Sequence, residues 1–340
     1  MLAASRRRDF LGYPVPSGCS WRGMPIADRR TRVELSSEAL RRNVTALHRQ
    51  TTLNSVAEVA GVGLHTGNHV CVRLTPAPAF TGFIFRRTDL GEFDVPAAPH
   101  AVARVSYATT LMRQGVMVST VEHLLAALVG CGVDNCIVEI DGMEVPILDG
   151  SAEGWVDMIE AAGVRELEAA RQYLRIRRAV EVVEANRSIR IVPADEYRIT
   201  CNIDFDHPVV GRQKKSVSIT AGEFARELAA ARTFGFVHEV EALRQAGLIQ
   251  GGSTENAIVL TPHGGMLNEV PLRWPDEFVR HKMIDIVGDL ALFGMPVLGH
   301  VLADRAGHAL HTQLVAKVVR DEAAWEIVAH PATSAVAVTL

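Results

Sequence analysis

Aromatic residues are scarce in this chain: Phe, Trp and Tyr together make up 6% of 340 residues, while 48% of the sequence is hydrophobic. Its core must therefore be built mainly from aliphatic side chains. No apolar run approaches the ~20 residues needed to cross a bilayer, so a membrane-spanning helix is excluded. The N-terminus also lacks the apolar stretch of a secretory signal, although it is basic. Cys-x-x-Cys pairs are missing, which excludes a cysteine zinc site, and the odd set Cys19, Cys71, Cys131, Cys136 and Cys201 argues against a disulfide framework. Reduced, mostly buried thiols in a cytoplasmic protein are the expectation. A basic body is absent as well. Residues 1–49 hold ten Arg and no Lys against Asp9, Asp28, Glu34 and Glu38, so with a net charge of −4 the rest of the chain carries an excess of ten negative charges. Such a body disfavours nucleic acid as a partner.

What is present divides into two blocks of strands and helices, a length that suits two domains. In the first, strands are expected at 53–59, 70–74, 82–87 and across 101–118. A helix capped by Ser119 then runs to Gly130. A hairpin over Val133–Leu148 turns at Asp141-Gly142, and a helix capped by Ser151 ends near Gly163. The second block has strands at 173–184, 188–193, 197–205 and 214–219 and a helix around 221–231. The apolar run 257–260 precedes a long helix capped by Asp276 and ended by Gly294; a strand at 297–303 and a last helix after Gly307-His308 follow. The two blocks look like distant copies of one α+β unit. Their boundary falls in the charged stretch 165–172. This gives a basic, loose extension at 1–49, domains at 50–168 and 169–330, and a tail at 331–340.

Three segments carry candidate chemistry. On the long helix, His281, Asp285 and Asp289 are four residues apart and share one face. Taken alone, that stripe reads first as a solvated face, since Glu277, Arg280 and Lys282 fall on the same side, with a His–carboxylate pair on one zinc as the alternative. His123 adjoins a wholly apolar run, as a core histidine or a third ligand. Glu122 lies three residues after Ser119, as a capping box or a catalytic base. His308 opens the last helix. The glycine-rich segment 61–67 lacks the Gly-Lys-Ser/Thr ending of a phosphate loop and the spacing of a dinucleotide fingerprint, and reads as a tight turn.

Taken together, Gly61-Val62-Gly63-Leu64-His65-Thr66-Gly67, Ser119-Thr120-Val121-Glu122-His123-Leu124, Ile147-Leu148-Asp149-Gly150-Ser151-Ala152, Ala231-Arg232-Thr233-Phe234-Gly235-Phe236, Phe278-Val279-Arg280-His281-Lys282-Met283-Ile284-Asp285 and Gly307-His308-Ala309-Leu310 resemble, in order, the UDP-3-O-acyl-N-acetylglucosamine deacetylases, zinc amidases of lipid A synthesis. The similarity spans about residues 51–330.

The resemblance implies an α+β fold of two similar domains in a two-layer sandwich, with the active site in the cleft between them. It implies Zn2+ held by His123, His281 and Asp285, Glu122 as general base and His308 as partner acid. Asp289 would orient His308 and Thr233 would stabilise the oxyanion. Lys282 would face the diphosphate, Asp204 and Phe205 would lie near the uracil, and Phe234 would also contact substrate. A helical hairpin inserted near 236–252 would form an apolar passage for the acyl chain, with Leu243, Leu248 and Ile249. The implied partner is a UDP-linked acylated amino sugar, met by a monomer in the cytoplasm. A zinc hydrolase of another amide, such as a peptide, and a non-catalytic sugar-nucleotide binding protein are the alternatives.

Overall fold

The computed structural model describes residues 48–329. The expected tail and all but the last two residues of the expected basic extension lie outside the described residues.

The first half opens with β1 (Arg49–Leu53), β2 (Ala57–Val62), β3 (His69–Pro76), β4 (Phe83–Arg87) and β5 (Phe93–Pro96). The short strands β6 (Val102–Arg104), β7 (Thr110–Arg113) and β8 (Val116–Val118) lead into helix α1 (Glu122–Gly130), followed by β9 (Cys136–Ile140) and α2 (Glu153–Ala162). Strands β2, β3, β9, β4 and β5 form a five-stranded sheet in that order. Alternation sets its inner face: Phe83 and Phe85 on β4 and Cys136, Val138 and Ile140 on β9 are buried, with half-buried residues between them.

The stretch 165–172, where a boundary is expected, is strand on both sides of a break at Arg171. β10 (Val164–Ala170) returns to pair antiparallel with β1, and β11 (Gln172–Ile176) starts the second half. Then come β12 (Val180–Glu184), β13 (Arg187–Val192), β14 (Tyr197–Asp204), β15 (Arg212–Ser218), α3 (Ala221–Glu227), β16 (Phe234–Phe236), α4 (Val237–Gln245) and β17 (Ile258–Leu260). Helix α5 (Glu277–Leu290), β18 (Val297–Asp304), α6 (His308–Arg320) and β19 (Trp325–Ala329) complete the described chain. A seven-stranded sheet runs β12-β13-β18-β11-β19, with β14 joined parallel to β18 and β15 beyond it. The architecture is α+β.

Every residue of α5 except Lys282 is buried, because the helix is packed between α1, α6, β14 and β15. A helix covered on all sides has no solvated face to spend on charge. The reading of His281, Asp285 and Asp289 as a solvated stripe is therefore excluded.

Several local expectations change. The single strand 53–59 is broken at Asn54–Ser55, where Asn54 N–H donates to Gly163 O (2.7 Å) and Ser55 Oγ to Ala162 O (3.0 Å). Stretch 101–118 is three short strands, interrupted by Tyr107 and by Gln114-Gly115, all at positive φ. Asp141-Gly142 does not make a hairpin: both edges of β9 are taken by β3 and β4, and Met143–Leu148 makes only isolated bridges. Ser119 does not cap α1. Its N-cap position is Val121, with no side-chain cap, and Ser119 Oγ bonds Thr110 Oγ1 instead (2.9 Å). Asp276 sits at the N-cap of α5 but spends its carboxylate on Arg280 (2.6 Å). The expected helical hairpin is one helix, α4, stopped by Gly247 and Ile249 at positive φ. Among the described residues, Cys131, Cys136 and Cys201 are free thiols, the last two buried. Among the described residues no helix is long and apolar enough to cross a membrane.

Candidate active site

Helices α1 and α5 cross with their chemistry-bearing residues facing each other. His123 comes from the first turn of α1, while His281 and Asp285 lie one turn apart on α5. One donor atom from each falls within 4.8 Å of the others. Asp285 Oδ1 is 3.8 Å from His123 Nε2 and 3.5 Å from His281 Nε2, and the two imidazoles meet edge to face at 4.9 Å. His281 spends Nδ1 on Ala231 O (3.0 Å), which assigns the proton to Nδ1 and leaves the Nε2 lone pair toward the carboxylate.

Burial pushes the His123 imidazole down to about 3, helped by His281, and burial also lowers His281, so both rings are neutral. Burial works against the Asp285 charge, but Lys282 and then the surrounding histidines hold it below the usual carboxylate range. Two neutral imidazoles and an ionised carboxylate, converging without protein filling the gap, are the donor set a divalent cation of the zinc type requires.

Beside this triad a second network forms. Glu122, 4% exposed, is pushed up to about 7 by burial, which the attraction of His308 only partly offsets. Its Oε2 accepts from Thr109 N–H (3.1 Å), so the carboxylate serves β7's approach rather than a capping box. His308, first residue of α6, lies with Nε2 4.0 Å from Glu122 Oε1 and Nδ1 2.7 Å from Asp289 Oδ2. Burial disfavours its charge, but Asp289 more than reverses this and holds the imidazolium up at about 10. Asp289 itself is held at about 2 by His308 and His311 against the effect of burial. A carboxyl that titrates near neutrality thus faces a histidine that stays protonated. That is the arrangement of a base and an acid.

Glu122, His123, His281, Lys282, Asp285, His308, Thr233 and Phe234 line one cavity of about 180 Å³. Lys282 Nζ donates to Asp285 Oδ2 (2.9 Å) and lies 5.6 Å over the Phe234 ring. Burial would lower its ammonium, but Asp285 raises it above the ordinary lysine range. Phe205 meets Phe234 edge to face at 5.6 Å and lies tilted against Phe236 at 5.8 Å, extending the aromatic wall. Asp204 does not join the cavity lining; it pairs with the exposed Arg212 (2.9 Å). Through Leu64, Tyr107, Thr233 and Phe234 the cavity continues into an apolar channel of about 460 Å³ beneath α4, lined by Phe236, Val240, Leu243, Ile249 and Val259. Of the expected channel residues, Leu248 is not among its lining.

Sequence reasoning missed Thr109, Thr120, Tyr107 and His311. Thr120, at φ +58°, is a β-branched residue in left-handed backbone two residues before Glu122, held by Glu144 (Oγ1 to Oε1, 3.0 Å). His311 was visible as a histidine three residues after His308 on one helix face. The others carry no local signal.

Residues 50–320 match the family model described as UDP-3-O-acyl N-acetylglycosamine deacetylase. A UDP-3-O-acyl-N-acetylglucosamine deacetylase of Myxococcus xanthus (strain DK1622) is 51% identical over 282 residues, covering 83% of this chain and 90% of that protein. The deacetylase of Solibacter usitatus (strain Ellin6076) is 49% identical over 82% of this chain and 94% of its own length. That of Alcanivorax borkumensis (strain ATCC 700651 / DSM 11573 / NCIMB 13689 / SK2) is 43% identical over 82% and 93%. With this match over most of its length, the chain belongs to the UDP-3-O-acyl N-acetylglycosamine deacetylase family.

Proposed function

We propose that this protein hydrolyses the N-acetyl group of UDP-3-O-acyl-N-acetylglucosamine, releasing acetate and the free amine in the committed step of lipid A synthesis, with zinc held by His123, His281 and Asp285. One observation carries the reading. The three donor atoms lie within 4.8 Å of one another beside Glu122 and His308, in a cavity that opens into an apolar channel. A peptidase site has no use for that channel. A non-catalytic binding protein has no use for a buried carboxyl and a mostly buried histidine 4.0 Å apart beside that triad.

When bound, zinc acidifies water and polarises the acetyl carbonyl. Glu122 accepts a proton from the attacking water as its oxygen bonds to the acetyl carbon. Thr233 donates to the oxygen on which negative charge develops, a contact worth about 3–4 kcal/mol when well placed. His308, fixed by Asp289, delivers its Nε2 proton to the sugar nitrogen as the C–N bond breaks. The proton gained by Glu122 then returns to His308 across the 4.0 Å between them, restoring both groups. Lys282 and Phe234 on the rim, with Phe205 behind, are suited to the diphosphate and the base, and the channel beneath α4 to the 3-O-acyl chain. Asp204 could reach the uracil only after leaving Arg212. Residues 50–168 supply Glu122 and His123 and residues 169–330 the rest, so the two halves act as domains around one site. A UDP-linked substrate supports a cytoplasmic enzyme.

The experiment is acetate release by the zinc-loaded protein from UDP-3-O-acyl-N-acetylglucosamine, with an N-acetylated peptide in parallel. Turnover of the sugar nucleotide and none of the peptide is expected. Peptide turnover alone, or binding of the sugar nucleotide without acetate, overturns the reading.

A further inference from the structure

We propose that His311 is a positioning residue for the proton donor, holding the Asp289 carboxylate in the one orientation that aims His308 at Glu122. This inference rests on the deacetylase reading above. His308 and His311 lie three residues apart on α6 and both turn toward α5. Their Nδ1 atoms approach the same oxygen, Asp289 Oδ2, at 2.7 Å and 2.8 Å, while Thr109 Oγ1 donates to Oδ1. The carboxylate is wholly buried and ionised, so it only accepts, and each imidazole must present an N–H.

His311 is itself fully buried, and its Nε2 has no partner among the described residues. A buried ring nitrogen left unpaired is a cost, and the ring's one hydrogen bond is the one to Asp289. A residue kept only for packing would be apolar. Three donors on two oxygens fix the carboxylate plane. Without His311 the Oδ2 side has one donor, the carboxylate can turn about its own bond, and the His308 ring follows it. The cluster Asp289, His308 and His311 also lies close enough for a metal. Two nitrogens at hydrogen-bond distance from one shared oxygen, however, describe a bifurcated acceptor, not three ligands around a gap.

The test compares His311→Asn, whose amide N–H lies where Nδ1–H was, with His311→Gln, whose amide lies where Nε2 was, and with His311→Leu. Each is studied as the zinc-loaded full chain. Gln and Leu are expected to lower kcat about 10- to 100-fold with KM within about twofold and zinc content at one equivalent, whereas Asn stays close to wild type. By NMR, the downfield His308 Nδ1–H signal is expected to persist in Asn and to move or broaden in Gln. Should Leu fail to fold, the Asn–Gln contrast decides. Equal kcat in Asn and Gln, an unmoved His308 signal in Gln, or a second zinc lost with His311 overturns the proposal. If wild type releases no acetate, the deacetylase reading falls, while the His308 signal still decides whether His311 holds Asp289.

Discussion

Gly288 of α5 lies directly against the backbone carbonyl of Glu122, so closely that a Cβ at position 288 would overlap it. The first turn of α1 carries Glu122 and His123, and α5 carries His281 one helical turn before Asp285. The absence of one side chain thus sets the distance of Glu122 and His123 from His281 and Asp285. We expect Gly288→Ala to force the helices apart at a cost of about 1–3 kcal/mol. Its thermal midpoint should fall and its zinc affinity should drop, because His123 withdraws from the other two donors. Wild-type zinc affinity in a folded Gly288→Ala would show that the site tolerates a wider crossing.

Glu122 and Asp285 should separate by their metal content. Glu122→Gln is expected to keep one zinc and lose about 10²- to 10⁴-fold in kcat, the usual share of a general base. Asp285→Ala removes the only charged donor of the triad, so both zinc and activity should be lost. Metal analysis beside the acetate assay distinguishes them, and a zinc-free Glu122→Gln would move Glu122 into the metal site.

The pH dependence has a defined sign. Glu122, near 7, must be ionised to accept a proton, so kcat/KM rises as pH climbs through its titration. His308, near 10, must be protonated to donate, so kcat/KM falls as pH climbs through its own. The result is a bell. The positive charge of bound zinc favours the carboxylate and disfavours the imidazolium, shifting both limbs to lower pH. In His308→Asn the alkaline limb should disappear; if it remains in place, another group supplies that proton.

Arg232 and Glu277 form an ion pair with side chains 7% and 0% exposed, and Glu277 also accepts the backbone N–H of Arg232 and Arg273. This ties the segment bearing Thr233 to the start of α5. Glu277→Gln leaves the guanidinium buried without its counter-charge, at a cost of roughly 3–5 kcal/mol. Glu223→Gln, which breaks the exposed pair with Arg226, should leave the melting curve where it is. Equal melting behaviour in the two variants would refute the distinction.

Leu243 lines the apolar channel beneath α4. Leu243→Trp fills part of it, so kcat/KM for a long 3-O-acyl chain should fall relative to a shorter one, by roughly 10-fold or more per lost methylene contact. An unchanged chain-length profile would mean that the acyl group lies elsewhere.

Much of the site was legible because its residues sit in long local patterns. The spacing of His281, Asp285 and Asp289 alone could not distinguish a solvated face from a metal site, since both need the same helical period. Burial of α5 on all sides removes the solvated face, and the neighbouring motifs are what favour a metal. The Ser119–Glu122 box shows the opposite case. The spacing was right for a cap, yet the backbone at Thr120 turns left-handed and the helix starts later, which frees the carboxylate for Thr109. The Asp141-Gly142 hairpin failed because β9 already has two partners, a fact of sheet order that no local dipeptide can report.

The sequence by itself determined the α+β class, the helix limits near Gly130, Gly163 and Gly294, and the identities of the groups able to bind a metal or move a proton, because periodicity, turn chemistry and side-chain type are properties of short segments. Only the tertiary structure decided that Gly288 brings α1 onto α5, that two histidines share one oxygen of Asp289, and that Asp204 turns to Arg212 instead of the cavity. Those outcomes depend on distances between residues far apart in the chain, and such distances are set by how whole helices and sheets pack.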